Sequence, residues 1–99
     1  MSAPLKGWLR RNLYVVFDGS VIEVFHTDYA LGDSSGPRSA SARRALDFIA
    51  DVTLDGGRLW WAPVQEPGSR QLLADSVHPD CLPFAEALVA AVRQAKARP

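Results

Sequence analysis

Apolar residues recur with two different periods along the chain, a strand-like period before Ser76 and a helical period after it. From Asp80 to Arg98 they return every three or four residues, which predicts one α-helix of about four to five turns. Ser76 and Asp80 are candidate N-caps for this helix. Its apolar stripe consists of Phe84, Leu88, Val92 and Ala95, flanked by Cys81, Ala85 and Val89. We therefore expect the helix to cover a sheet formed by the residues that precede it.

Three short strands are predicted in the first part of the chain: Leu5 to Arg10, Leu13 to Phe17 and Val21 to His26. The first alternates apolar and polar residues, and the other two are rich in β-branched and aromatic side chains. Arg11-Asn12 offers a tight reversal between the first two strands, and Asp18-Gly19-Ser20 is a strong hairpin signal. The pattern predicts an antiparallel meander, with one long bent strand from Trp8 to Phe17 as the alternative.

The composition changes in the middle of the chain. From Gly32 to Arg44 the sequence contains Gly, Ser, Pro, Ala and Arg and no large apolar side chain, which predicts a mobile loop that is dispensable for folding. The apolar positions that follow alternate, which favours a strand broken near Asp51, with a helix from Ser39 to Ala50 as the alternative. These positions are Leu46, Phe48, Ala50, Val52 and Leu54.

Two further strands are predicted between the Asp55-Gly56-Gly57 turn and the helix: Arg58 to Val64 and Gln71 to Asp75. The first contains the adjacent pair Trp60 and Trp61. Neighbouring residues on a strand face opposite sides, so one indole should enter the core while the other faces out or lies under the 32–44 loop. Because tryptophan is favoured at protein contacts, the pair is a candidate contact for a partner.

Composition limits the class of protein. The 99 residues, 47% of them hydrophobic, suffice for one domain over residues 1–99, either alone or as one module of a longer protein. The 11 basic and 11 acidic residues cancel, so no global field favours nucleic acid. A single cysteine, Cys81, excludes an internal disulfide and favours a cytoplasmic protein. No apolar run reaches the roughly 18 residues that a transmembrane segment needs.

Catalytic chemistry has few candidates. His78, Asp80 and Cys81 lie within four residues of one another, but three neighbours at a helix entry do not converge on a substrate, and a cap beside a buried thiol is the simpler interpretation. The two histidines, His26 and His78, lack the spacing of metal ligands. No glycine-rich phosphate loop occurs. We therefore expect a protein that is not an enzyme and that needs neither a cofactor nor a metal.

Three stretches of the chain resemble the pleckstrin homology (PH) domain in its opening strand, its second strand with the following hairpin, and its last strand with the helix start. These stretches are Lys6 to Arg10, Leu13 to Val16 with Asp18 to Ser20, and Leu73 to Ser76. The resemblance implies a mainly β (α+β) fold, an antiparallel six- or seven-stranded sheet or barrel closed by one C-terminal α-helix. Tyr14 to Val24 followed by Asp28 also resembles the polo-box module, which has six strands and one helix.

The departures from the PH pattern concern its lipid site. Lipid-binding members of the family grip inositol phosphates with a long basic loop between strands one and two. Here that loop is only Arg11-Asn12, and Asn12 stands where the family has arginine. Phe84 stands at the helix position that is usually tryptophan. The resemblance therefore supports the fold better than it supports phosphoinositide binding.

Residues and resemblance together predict a non-enzymatic protein-interaction or adaptor module. A membrane-peripheral module that binds an anionic phosphoinositide is the first alternative, and a polo-box-type protein-binding module is the second. The expected location is the cytoplasm, including the periphery of a membrane or a cytoskeletal structure. The candidate contacts for a lipid or protein partner are Lys6, Arg10, Arg11, Arg43, Arg44, Trp60 and Trp61.

Overall fold

The computed structural model describes residues 4–26 and 42–97. Its elements are β1 (Leu5–Arg10), β2 (Leu13–Phe17), β3 (Val21–His26), β4 (Ala42–Ala45), β5 (Ile49–Asp55), β6 (Arg58–Pro63), β7 (Gln71–Ala74) and α1 (Leu82–Ala97). Short 3-10 turns at Leu46–Phe48 and Pro79–Cys81 precede β5 and α1. The first three strands have the predicted bounds, and the last two end one residue earlier than predicted. The mainly β fold with one C-terminal helix is confirmed.

The strands form two antiparallel sheets, one of four strands in the order β1-β2-β3-β4 and one of three in the order β5-β6-β7. The predicted barrel is wrong in one respect: within the described residues the sheets are not closed on each other. Among the described strands, β4 pairs with β3 alone and β5 pairs with β6 alone. The 3-10 turn at Leu46–Phe48 carries the chain from one sheet to the other without a shared ladder.

Both hairpins near the chain start follow the predicted turns, so the single bent strand from Trp8 to Phe17 is wrong. Asn12 adopts φ of 70°, a left-handed conformation that asparagine tolerates better than most residues. At the second hairpin the Asp18 carboxylate accepts hydrogen bonds from the amides of Ser20 and Val21 at 2.8 and 2.9 Å. The local turn chemistry therefore sets the register of β1, β2 and β3.

The core lies between the two sheets and α1. Alternate residues of β2 and β3 point inward, and α1 packs its buried face against β1 and β5. The largest fully buried side chains are Leu9, Leu13, Val15, Ile22, Ile49, Val52, Leu59, Leu88 and Val92. Burial of α1 follows the predicted stripe at Ala85, Leu88, Val89 and Val92. Phe84 is only half buried, and its ring lies over Gly7, where an added Cβ would come within 2.8 Å of it.

Part of the predicted 32–44 loop is a strand. Ala42–Ala45 pairs with β3 in register, with Arg43 opposite Glu23 and Arg44 opposite Ile22. Residues 32–41 of that prediction lie outside the described residues. The stretch was predicted as a loop because Ala-Arg-Arg-Ala shows no apolar alternation, and its pairing comes from the neighbouring strand. Replacing the whole stretch would remove most of β4.

The predicted alternation from Leu46 to Leu54 assigns several side chains to the wrong face. Leu46–Phe48 forms a 3-10 turn, the side chain of Phe48 is 62% exposed, and the buried residues are Ile49 and Val52. The two buried positions are three residues apart, not two, because the pairing of β5 with β6 shifts register between Ile49 and Asp51. The predicted irregularity near Asp51 is therefore confirmed, while the helix from Ser39 to Ala50 is reduced, in its described part, to one 3-10 turn.

The entry to α1 also differs from prediction. The Nδ1 atom of His78 accepts a hydrogen bond from the Asp80 amide at 3.1 Å, so His78 caps the 3-10 turn and neither Ser76 nor Asp80 does. The helix itself begins two residues later than predicted, at Leu82. Hydrogen bonds from the Val77 amide to the Gly57 carbonyl and from the His78 amide to the Leu9 carbonyl fasten this entry to both sheets.

Candidate functional site

Three aromatic side chains form a row across the outer face of the four-stranded sheet. Trp8 lies opposite Tyr14, and Tyr14 lies opposite Phe25, on neighbouring strands. The ring centroids of Trp8 and Tyr14 are 4.9 Å apart at an interplanar angle of 63°, and those of Tyr14 and Phe25 are 6.4 Å apart at 55°. The side chain of Trp8 is 43% exposed. We call Trp8, Tyr14 and Phe25 the aromatic row.

A pocket of about 260 Å³ adjoins the aromatic row at Trp8. It lies between the β1–β2 turn and the entry to α1, and its lining residues are Trp8, Arg10, Arg11, Asn12, His78 and Cys81. We call this the arginine pocket. Two polar atoms of its lining residues, Nε of Arg10 and Oδ1 of Asn12, are buried and have no hydrogen-bond partner among the described residues. The accessible wall of the pocket is therefore mainly apolar.

Arg10 is only partly neutralised by its neighbours. Its Nε lies 3.3 Å from Oδ1 of Asp75, but the N–H is not aligned with that oxygen and forms no hydrogen bond. Its NH1 group donates to the Arg11 carbonyl at 3.3 Å. Lys6 is exposed on the same face of β1 as Trp8, two residues before it. Three of the predicted contacts, Lys6, Arg10 and Arg11, therefore lie near Trp8.

The other two predicted arginines do not join this group. Arg43 faces outward and pairs with Glu23, with 3.2 Å between Nε and the carboxylate oxygen. Arg44 follows it on the strand and so faces the opposite side, where its guanidinium lies 5.0 Å from the centroid of the Trp61 ring. These two predicted contacts therefore lie on opposite faces of β4.

Trp60 and Trp61 face opposite sides of β6, as predicted. Trp61 enters the core with 9% of its surface exposed. The indole N–H of Trp60 donates to the Asp55 carbonyl at 3.3 Å, and the Arg70 guanidinium lies 4.5 Å from its ring centroid. Arg70 also pairs with Asp55 at 3.4 Å. Trp60 is therefore covered by Arg70, which makes it a weaker contact candidate than Trp8.

A second groove, of about 500 Å³, runs along the surface between β5 and α1. It is lined by Thr53, Leu54, Glu86, Val89, Ala90 and Arg93. Beside it, two guanidinium nitrogens of Arg93 donate to the two carboxylate oxygens of Asp51 at 3.0 and 3.1 Å. This hydrogen bonding lowers the pKa of Asp51, with a smaller contribution from the Val52 amide, and raises that of Arg93.

Strand β5 is an edge strand, so this groove is the natural place to test for strand addition. Gly56 and Gly57 both have positive φ, and such a two-residue turn makes Asp55 and Arg58 a hydrogen-bonded pair. Val52 and Leu54 then direct their backbone polar groups outward. The Asp51–Arg93 pair lies beside this edge, and charges so placed oppose the pairing of another strand.

Sequence reasoning found the basic side of the site and missed most of its aromatic side. The alternation along β1 places Trp8 on the same face as Lys6 and Arg10, but no sequence pattern singles out Tyr14 or Phe25. Each of these residues takes an outward position in an alternating strand. The positions form a row only when the register between the strands is known. The described residues contain no group of three or more His, Cys, Asp or Glu side chains arranged for a metal ion.

Residues 4–26 and 42–97 contain no helix that is long and apolar enough to cross a membrane. Comparison of the chain with models of known protein families, with curated proteins and with solved structures finds no match. The PH-like assignment therefore stays a prediction.

Proposed function

We propose that this chain is a PH-like, non-enzymatic protein-interaction module that binds a partner segment on the aromatic row. The exposed indole of Trp8 carries this proposal. A large aromatic side chain that is 43% exposed, backed by Tyr14 and bordered by a pocket, has the composition of an interaction hot spot. Because Tyr14 holds the indole in an edge-to-face contact, little side-chain freedom is lost when a partner binds.

The order of the elements supports the PH-like part of the proposal. In the described residues, seven antiparallel strands precede one C-terminal helix, as the resemblance implies for a six- or seven-stranded fold. The polo-box alternative has six strands. Fold alone does not define a partner, so the choice of surface depends on the side chains that the sheet presents.

The phosphoinositide alternative has less support from the arrangement of charges. Capture of an inositol phosphate needs several basic groups directed at one place. The β1–β2 turn contains only Arg11 and Asn12, Arg43 is neutralised by Glu23, and Arg44 packs on Trp61. Strand addition at β5 is also disfavoured, since the Asp51–Arg93 pair flanks that edge.

The proposal is tested by affinity capture with the whole chain as bait, run beside vesicle sedimentation. We expect a protein to be retained by the unmodified chain and lost with Trp8→Ala. Phe48→Ala is the matched control, because it removes an exposed aromatic ring outside the aromatic row. Retention of the same protein by both variants would contradict the proposal. So would binding to phosphoinositide vesicles at physiological salt without any protein partner.

A further inference from the structure

The main chain of His78 fastens the entry of α1 to the four-stranded sheet. Its amide donates to the Leu9 carbonyl of β1 at 2.8 Å, and its carbonyl accepts from the Cys81 amide at 2.7 Å. The first hydrogen bond joins the entry to β1, and the second closes the 3-10 turn at Pro79–Cys81. A change in the conformation of this one residue therefore affects both β1 and the start of the helix.

The side chain of His78 caps this turn only when the imidazole is neutral. Its Nδ1 atom accepts a hydrogen bond from the Asp80 amide at 3.1 Å, so the neutral ring carries its proton on Nε2. A protonated ring donates from both nitrogens and accepts at neither. Protonation therefore places two N–H groups against each other, and the cap is lost. Histidine is the side chain that ordinarily changes charge between about pH 5 and 8.

An acceptor for the protonated ring lies beside it. Oδ2 of Asp80 is 3.8 Å from Nδ1 of His78, which is too long for a hydrogen bond but is shortened by a small rotation of the ring. The ring has room to rotate, since 57% of its side-chain surface is exposed and it borders the arginine pocket. Proton uptake therefore exchanges the Asp80 amide for the Asp80 carboxylate as the partner of the ring.

The charges around the ring favour the same rotation. The ionisable groups on the elements around it are those of Arg10, Arg11, Asp75, Asp80 and Cys81. Arg10 and Arg11 line the arginine pocket and repel a positive ring from that side. Asp75 is already engaged by Arg10, with 3.3 Å between Oδ1 and Nε. The Asp80 carboxylate is therefore the anion that pairs with the protonated ring.

We propose that His78 is a proton-sensitive cap that couples pH to the shape of the surface beside Trp8. As the pH falls from about 8 to 5, the ring releases the Asp80 amide, turns to the Asp80 carboxylate and withdraws from the arginine pocket. The entry of α1 loses its side-chain cap, and the pocket widens on the side of the helix. This inference goes beyond the proposed function, because it holds whether or not a partner binds at Trp8.

The test is a pH titration of the whole chain by NMR spectroscopy between about pH 8 and 5. At the upper end, the nitrogen shifts of the His78 ring should show a proton on Nε2 and none on Nδ1. As the pH falls, the Asp80 amide proton should move upfield, because it loses its acceptor, and the Trp8 indole N–H should shift with the same midpoint. The pKa values of Asp18 and Asp51 lie below 3.8, so those carboxylates titrate outside this range.

Three variants assign the response to the named groups. His78→Asn keeps a side-chain oxygen that can cap the turn but does not titrate, so both resonances should lose most of their pH dependence. His26→Asn removes the other histidine of the chain and should leave both responses unchanged. Asp80→Asn should lower the midpoint by about half a pH unit, because the protonated ring then lacks its anionic acceptor. Circular dichroism checks that each variant is folded.

Several results would overturn the inference. They are a proton on Nδ1 of His78 at the upper end of the titration, an Asp80 amide that does not respond to pH, a response at Asp80 without one at Trp8, and an equal response in His78→Asn. The first three are measured on the unmodified chain, so they decide the question even if a variant does not fold.

Discussion

At the scale of single residues, the first turn of α1 lies close to β1 because residue 7 has no side chain. A Cβ at Gly7 would lie 2.8 Å from Cδ1 and 3.0 Å from Cγ of the Phe84 ring. The Cγ atom is the fixed end of the ring, so a small rotation of the side chain cannot relieve the clash. Gly7 therefore permits the close packing of the Phe84 ring on β1.

Gly7→Ala should lower the free energy of unfolding. Overpacking costs about 1–3 kcal/mol, which exceeds the roughly 0.5–1 kcal/mol that alanine gains over glycine within a strand. Denaturant titration measures the difference. Gly68→Ala is the control, because nothing lies within 4 Å of its added Cβ, and it should change stability by less than about 0.5 kcal/mol. In a Phe84→Ala background, Gly7→Ala should cost much less stability, because the clashing ring is absent. An equal cost of Gly7→Ala with and without the Phe84 ring would show that the ring does not clash.

At the scale of elements, Leu88 fixes α1 in the core. It is fully buried, whereas Leu72 on the outer face of β7 is about half exposed. Leu88→Ala should destabilise the protein by about 2–5 kcal/mol, since it removes buried methyl groups and leaves a cavity. Leu72→Ala removes the same atoms from an exposed position and should cost less than about 1 kcal/mol. Similar losses in the two variants, measured by chemical denaturation, would mean that α1 is not docked as described.

The Asp51–Arg93 pair joins the same helix to β5 and should make stability depend on pH. Hydrogen bonds from Arg93 lower the pKa of Asp51 in the folded protein. The stabilisation is therefore present above the ordinary aspartate pKa of 3.8 and is lost as the pH falls through the lower folded value. Both side chains are about half exposed, so the pair contributes no more than about 1 kcal/mol.

Arg93→Gln should reduce stability at pH 7 and flatten its decline below pH 4, as followed by thermal melts across that range. Asp18 also has a lowered pKa, because the Ser20 and Val21 amides donate to it, and its contribution should persist in this variant. The residual slope below pH 4 should then shrink further in the Asp18→Asn, Arg93→Gln double variant. An unchanged slope in Arg93→Gln would show that the ion pair does not hold the helix end.

Sequence reasoning succeeded at those elements whose signal is local. Asp18-Gly19-Ser20 and Gly56-Gly57 define hairpins through turn conformation, and the helix stripe shows its own period. Strand β4 could not be found in this way, because Arg43 and Arg44 form a strand only through pairing with β3. The aromatic row could not be found from the local sequence either. Its three rings come from three strands, so it exists only after the register is set.

At the scale of the whole molecule, the distribution of charge separates protein binding from lipid binding. Basic and acidic residues are equal in number, and two of the five predicted basic contacts are neutralised by Glu23 or packed on Trp61. Of the five predicted basic contacts, Lys6, Arg10 and Arg11 remain available to bind an anionic surface. Each contributes about 1 kcal/mol near such a surface at most, and charges more than about 8 Å apart are screened at physiological salt.

Attraction to membranes should therefore be weak and nonspecific. Vesicles that contain different phosphoinositides should bind to a similar extent at low salt and lose most of the protein at physiological salt. Arg10→Ala and Arg11→Ala should each reduce the low-salt binding in part, while Arg44→Ala, whose guanidinium faces Trp61, should leave it unchanged. Micromolar binding to one phosphoinositide isomer that survives physiological salt would require a convergence of donors that the two-residue β1–β2 turn does not supply. That result would favour the lipid module over the protein-interaction module.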